Sequence, residues 1–163
     1  MANATAAPRC VALIGPYLSG KTTLLEAMLY ASGSTTRHGS VRDGNSVGDH
    51  SPEARARQMS TELNVAQASF LGDPWTILDC PGSVEMLHEA EGAVLASDVA
   101  IVVCEPEVER ALTISPLLRF LDRHNIPGAA LSVLRDGQPV YRACLGQAGR
   151  AEGPEIGVDL PAP

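Results

Sequence analysis

The stretch CVALIGPYLSGKTTLLEAMLYASG (residues 10–33) decides the fold. Its first six residues are a short apolar run ending in glycine, the pattern of a buried parallel strand. From Lys21 onward, Leu25, Met28 and Leu29 fall on one helical face, and Gly33 supplies a stop. Between them, Gly15-Pro-Tyr-Leu-Ser-Gly20-Lys21-Thr22 matches the phosphate-loop pattern GxxxxGK, then Ser or Thr, at every fixed position. Glycines let backbone N–H groups approach phosphate oxygens, Lys21 supplies a mobile cation, and Thr22 offers a hydroxyl to Mg²⁺. The helix that starts there adds its positive dipole end. A structural turn would also use the glycines, but it gives no reason for Lys-Thr at a helix start after an apolar strand. Gly15, Ser19, Gly20, Lys21, Thr22 and Thr23 are therefore the candidate phosphate contacts, with Lys21 also a candidate catalytic group.

Bulk composition sets limits around that loop. The 163 residues suit one domain with a core of ordinary size. Hydrophobic residues make up 45% and charged residues 19%, as in globular rather than disordered chains. Two Phe, three Tyr and one Trp leave the core to aliphatic side chains. Twelve Lys and Arg against nineteen Asp and Glu give a net charge of -7, which argues against a surface built to grip DNA or RNA. A single anionic ligand held locally is compatible with it. Cys10, Cys80, Cys104 and Cys144 form no CxxC pair and read as reduced, buried thiols. The N-terminus has no apolar signal core and no run reaches membrane-spanning length, so a cytoplasmic location without a membrane partner is expected.

Downstream, GSTTRHGSVRDGNSVGDHSPEARARQMST (33–61) is polar and nearly free of apolar periodicity, a functional or disordered loop by its length. LNVAQASF (63–70) and WTILDC (75–80) read as an antiparallel hairpin turning at Gly-Asp-Pro. PGSVEMLHEAEGAVLAS (81–97) reads as a helix burying Leu87, Ala90 and Val94. DVAIVVCE (98–105) reads as a buried strand, and 106–125 as a helix with Ala111, Ile114, Leu118 and Leu121 inside and a bend at Pro116. Strands alternating with helices favour an α/β three-layer fold with a mostly parallel sheet. AALSVLRDGQPVYRACLG (129–146) breaks the alternation with a strand, an Asp-Gly turn and a strand.

Asp79-Cys-Pro-Gly82 adds a carboxylate at a strand end, where it can hold Mg²⁺, and a glycine whose N–H can meet a γ-phosphate. An ordinary turn also uses Asp, Pro and Gly. The position after a hairpin and a long polar loop favours the functional reading.

Loop 15–22, the segment 33–62, DCPG (79–82) and DVAIVVCEPEVE (98–109) together resemble the start of the GTP-binding domain of elongation factor G. More narrowly, they resemble a divergent bacterial branch of elongation factor G-like translational GTPases, over about residues 9 to 127. VRDGNSVGD (41–49) and SPEARARQMSTELNVA (51–66) resemble that branch's first switch segment. The resemblance implies a P-loop NTPase of the G-domain type with one antiparallel hairpin, incomplete at its C-terminus, binding GTP or GDP with Mg²⁺. It implies metal ligation by Thr22, Ser60 and Asp79 and a γ-phosphate contact at Gly82. Ser83 stands where the family usually carries a water-orienting His, and Leu18 stands where it carries Asp. Val-Leu-Arg-Asp136 stands where it reads guanine with Asn-Lys-x-Asp, so Asp136 is the one matching base contact and also half of a hairpin turn. The segment 126–148 is similar to the opening hairpin of serine β-lactamase-like hydrolases, without their Ser-x-x-Lys.

The expected organisation is a flexible stretch 1–8, a partial GTP-binding unit 9–128, a divergent hairpin 129–145 and a flexible tail 146–163. The expected function is phosphate-led binding of GTP or GDP with slow hydrolysis or none. Alternatives are a non-enzymatic P-loop interaction fragment, or a P-loop ATPase or kinase. The ribosome enters as a partner by resemblance only, with no stable complex expected.

Overall fold

A computed structural model describes residues 9–49, 51–104, 109, 113, 115–124, 129–135 and 138–145. Ala111, Ile114, Asp136 and the two terminal stretches of the sequence reading lie outside the described residues. Strand β1 (Arg9–Ile14) leads through the loop into helix α1 (Lys21–Ala31). Helix α2 (Pro52–Arg57) precedes the hairpin of β2 (Asn64–Phe70) and β3 (Asp73–Asp79). Helix α3 (Leu87–Leu95), strand β4 (Val99–Val103), helix α4 (Ser115–Arg123) and strands β5 (Ala129–Arg135) and β6 (Gln138–Leu145) follow.

The strands make one six-stranded sheet in the order β2-β3-β1-β4-β5-β6. Its centre is parallel, β1 pairing with β3 and β4, and β4 with β5. Each edge is an antiparallel hairpin, β2–β3 on one side and β5–β6 on the other. Because side chains alternate along a strand, β1 feeds two cores. Val11 and Leu13 pack with Leu25, Leu29, Ala66 and Ile77 on the α1 side. Ala12 and Ile14 pack with Ala90, Ala93, Val94, Leu117 and Leu121 on the side of α3 and α4. Burial on both faces explains the unbroken apolar run of β1, and full burial of each Leu or Ile contributes about 1.5–3 kcal/mol.

Three local expectations shift. The β2–β3 turn is Leu71-Gly72, both with positive φ (53° and 88°), the mark of a primed two-residue turn. Pro74 therefore sits inside β3 and not in the turn. Helix α3 begins only at Leu87, after a 3₁₀ turn at Val84–Met86, because Pro81 to Ser83 runs outside any helix. Pro116 lies in the first turn of α4, where its missing N–H costs nothing, so it starts that helix instead of bending it.

Candidate functional site

Strand β1 delivers the loop to the C-terminal end of the parallel strands, where β4 also ends. A Cβ on Gly15 would stand 1.9 Å from the Val103 carbonyl oxygen, so the first glycine is required by packing against β4. Lys21 is buried, and its Nζ donates to the carbonyls of Gly15 (3.1 Å) and Pro16 (2.8 Å). Those two bonds fix the ammonium over the loop. Helix α1 starts at Gly20 with no side-chain cap and no acid in its first turn. The N–H groups of Lys21, Thr22 and Thr23 precede the first intrahelical bond, from Leu24 N–H to the Gly20 carbonyl (2.9 Å). An uncapped helix start with an uncompensated dipole is a ready anion site. Leu18, half exposed, is held at φ 61°, an uncommon conformation for a bulky residue and one that collects at ligand-binding loops.

Thr22 joins three segments. Its Oγ1 donates to Asp79 Oδ2 at 2.7 Å and lies 3.2 Å from Ser60 Oγ. The three predicted metal ligands, from α1, the segment after α2 and the end of β3, are thus brought together. Asp79 is fully buried, and its Oδ1 has no hydrogen-bond partner among the described residues. Burial pushes its carboxyl up to about 6, against the opposing pull of the Thr22 hydroxyl and the Lys21 charge. Burial likewise lowers the Lys21 ammonium from its usual range, with Asp79 opposing. One carboxylate with an unpaired oxygen and two hydroxyls form an all-oxygen donor set, which fits Mg²⁺ completed by phosphate oxygens and water. Ser19 Oγ, also buried and without a partner among the described residues, is a further acceptor or donor in the same pocket.

The pocket over α1 is lined by Gly20, Lys21, Thr22, Asp49, Ser60 and Gly82, among others. Gly82 presses on the loop: a Cβ there would come within 2.6 Å of both Lys21 Nζ and the Pro16 carbonyl oxygen. Ser83 is placed differently. It lines the adjoining groove with Pro16, Pro81, Val84 and Leu87. His88 is almost fully exposed and pairs with Glu91 at 3.3 Å. Cys80 is buried and free, its thiol pushed up to about 12 chiefly by that burial, which makes it inert.

Sequence reading missed Glu26, Asp49 and Asn64, all buried beside the pocket. Asn64 Nδ2 donates to Asp49 Oδ1 at 3.3 Å, and the Asp49 N–H donates to Ser46 Oγ at 3.3 Å. The available signal was Glu26 itself, an acid set beside the apolar stripe of Leu25 and Leu29. Helix α2, inside the stretch that reads as a loop, also carries a start signal: Ser51 accepts the Ala54 N–H at 3.1 Å and Pro52 takes the first helical position.

The sequence pattern of the elongation factor Tu GTP-binding domain matches residues 7–133. The chain belongs to that family. An elongation factor G-like protein of Synechocystis sp. is 52% identical over 119 residues, 73% of this chain and 18% of the relative. An elongation factor G-like protein of Mycobacterium tuberculosis is 36% identical over 102 residues, 63% of this chain and 14% of that protein. A crystal structure of a Thermus thermophilus protein superposes with a TM-score of 0.59 at 31% identity, over 82% of this chain and 25% of that one. The chain thus spans less than a fifth of these curated relatives' lengths. As a member of that family, with likeness to elongation factor G-like proteins, it carries loop 15–22 and the Asp79-Cys-Pro-Gly82 segment at the ends of adjacent parallel strands of one sheet. No helix among the described residues is long and apolar enough to cross a membrane.

Proposed function

We propose that this chain binds GTP or GDP with Mg²⁺ through the phosphates, and hydrolyses GTP slowly or not at all. The observation that carries the reading is the convergence of Thr22, Asp79 and Ser60 beside the uncapped start of α1. In this reading the N–H groups at 20–23, Lys21 and Ser19 take the phosphates, and Gly82 meets the terminal one. Thr22, Ser60 and Asp79 would hold Mg²⁺, which supplies charge neutralisation across the phosphates. Lys21 is already aimed by two carbonyls, so binding leaves it little side-chain freedom to lose. Ser83, which lines the groove beside Gly82, stands in for a histidine in this reading, and a hydroxyl carries no proton charge at neutral pH. This favours a binder over a fast hydrolase.

Guanine recognition rests on Asp136 alone, without the neighbouring Asn and Lys. Affinity then comes from the phosphates, and discrimination between GTP and ATP is weak. Competition of the two nucleotides for a bound fluorescent GDP analogue tests this: comparable displacement supports it, and a strong preference for GTP contradicts it. The same reading takes residues 9–128 as the nucleotide-binding unit, a cytoplasmic setting, and no stable ribosome complex.

A further inference from the structure

Glu26 sits one turn after Thr22 on α1, on the same helix face, and is only 1% exposed. None of the phosphate and metal roles above uses it, and no cation pairs with it among the described residues. A carboxylate buried without a counter-charge costs stability, so it needs a reason beyond packing. Its partners supply one. Oε1 accepts the N–H groups of Val47 and of Gly48, the latter at 3.4 Å. Oε2 has no hydrogen-bond partner among the described residues and faces Gly39, where a Cβ would stand 2.3 Å away.

Residues 39–48 therefore fold around this one side chain. The segment closes on itself through Ser40 N–H to Asn45 Oδ1 (2.7 Å) and Asn45 N–H to the Ser40 carbonyl (3.2 Å). Gly48 then packs on the metal position: a Cβ there would lie 3.2 Å from Thr22 Cγ2 and 3.5 Å from Asp79 Oδ2. The backbone that Glu26 grips is the backbone that covers Thr22 and Asp79.

We propose that Glu26 is a positioning residue, whose carboxylate holds residues 39–48 against α1 so that Gly48 and Asp49 close over the metal position and slow the release of Mg²⁺-nucleotide. This rests on the nucleotide reading above and assigns the closure to a named group. Trypsin reads the closure directly, because Arg37 and Arg42 are exposed on either side of Gly39. In the full chain, Glu26→Ala should be cut at Arg37 and Arg42 about tenfold faster than the unaltered chain, since one part-buried and one buried N–H group lose their acceptor. Glu26→Gln keeps an acceptor oxygen and should restore most of the protection. Gly39→Ala, whose methyl displaces the carboxylate, should behave like Glu26→Ala and carries the test should that variant not fold.

Release of a fluorescent GDP analogue separates positioning from general loosening. Glu26→Ala should speed release about tenfold in Mg²⁺ and leave it nearly unchanged in EDTA. Equal cleavage and equal release in Glu26→Ala and the unaltered chain would overturn the proposal, as would an acceleration of the same size in Mg²⁺ and EDTA. An unaltered chain that retains no analogue would overturn the nucleotide reading and the release claim together, while the cleavage pattern would still judge the grip of Glu26 on its loop.

Discussion

Two segments meet at Thr22, and they are held there by different physics. Loop 15–22 is an outgrowth of the sheet, fixed by β1 before it, α1 after it and the Val103 carbonyl against Gly15. The segment 39–60 has almost no apolar anchor besides Ala54. It is fixed by single polar contacts: Glu26 to the Val47 and Gly48 N–H groups, Asn64 to Asp49, and Ser60 to Thr22. The first arrangement fails only when the core fails. The second can open one contact at a time, which is what a ligand-responsive cover over a buried site requires.

The largest effect should come from the core that the loop depends on. Leu25→Ala removes a fully buried side chain from the α1 core and should cost about 2–5 kcal/mol in urea unfolding, with nucleotide affinity falling alongside. If affinity survives that loss of stability, the loop does not depend on the sheet.

Asp79, where both segments touch, should give a pH signature of similar size. Its folded value of about 6 lies above the ordinary 3.8, so folding favours the protonated acid. The contribution to stability without ligand is full below about 3.8 and is lost as pH rises through about 6. At about 1.4 kcal/mol per pH unit between the two values, the loss is about 3 kcal/mol. Mg²⁺ reverses the preference because it needs the ionised form, so metal-linked stabilisation should grow as pH rises through about 6. Unfolding from about pH 4 to about pH 8 with and without Mg²⁺-GDP checks both slopes, and Asp79→Asn should flatten them.

The smallest effect falls on the segment alone. Ser60→Ala deletes one neutral hydroxyl contact to Thr22 and should weaken Mg²⁺-dependent binding about fivefold, with unfolding lowered by no more than about 1 kcal/mol. A shift in unfolding as large as that of Leu25→Ala would erase the difference between the two segments.

The same contrast explains what could be read in advance. The strand, loop and helix at 10–33 are governed by neighbours in sequence, so periodicity and glycine spacing were enough to place Lys21 and Thr22. Asp79 was legible because a strand end is a local event. The path of 33–60 was not, because its anchors lie far off in the chain: Glu26 is 21 residues from Val47, and Asp49 is 15 from Asn64. A run that looks polar and patternless is here a packed cover whose partners face it from α1 and β2. Helix α2 escaped for a different reason: its Ser-Pro-Glu start was visible, but six residues are too few to show a periodic stripe. Pro116 misled because a proline in a helical pattern fits a kink and a first turn equally well, and only the boundary at Ser115 decides.

The central question is whether this site holds a Mg²⁺-nucleotide at all. Unfolding of the unaltered chain and of Lys21→Ala, each with Mg²⁺-GTP at millimolar concentration, measures that in one comparison. At about 100 times the dissociation constant the ligand should add about 2.7 kcal/mol to the unaltered chain and little or nothing to Lys21→Ala. Equal shifts in the two proteins, or no shift in either, would contradict it.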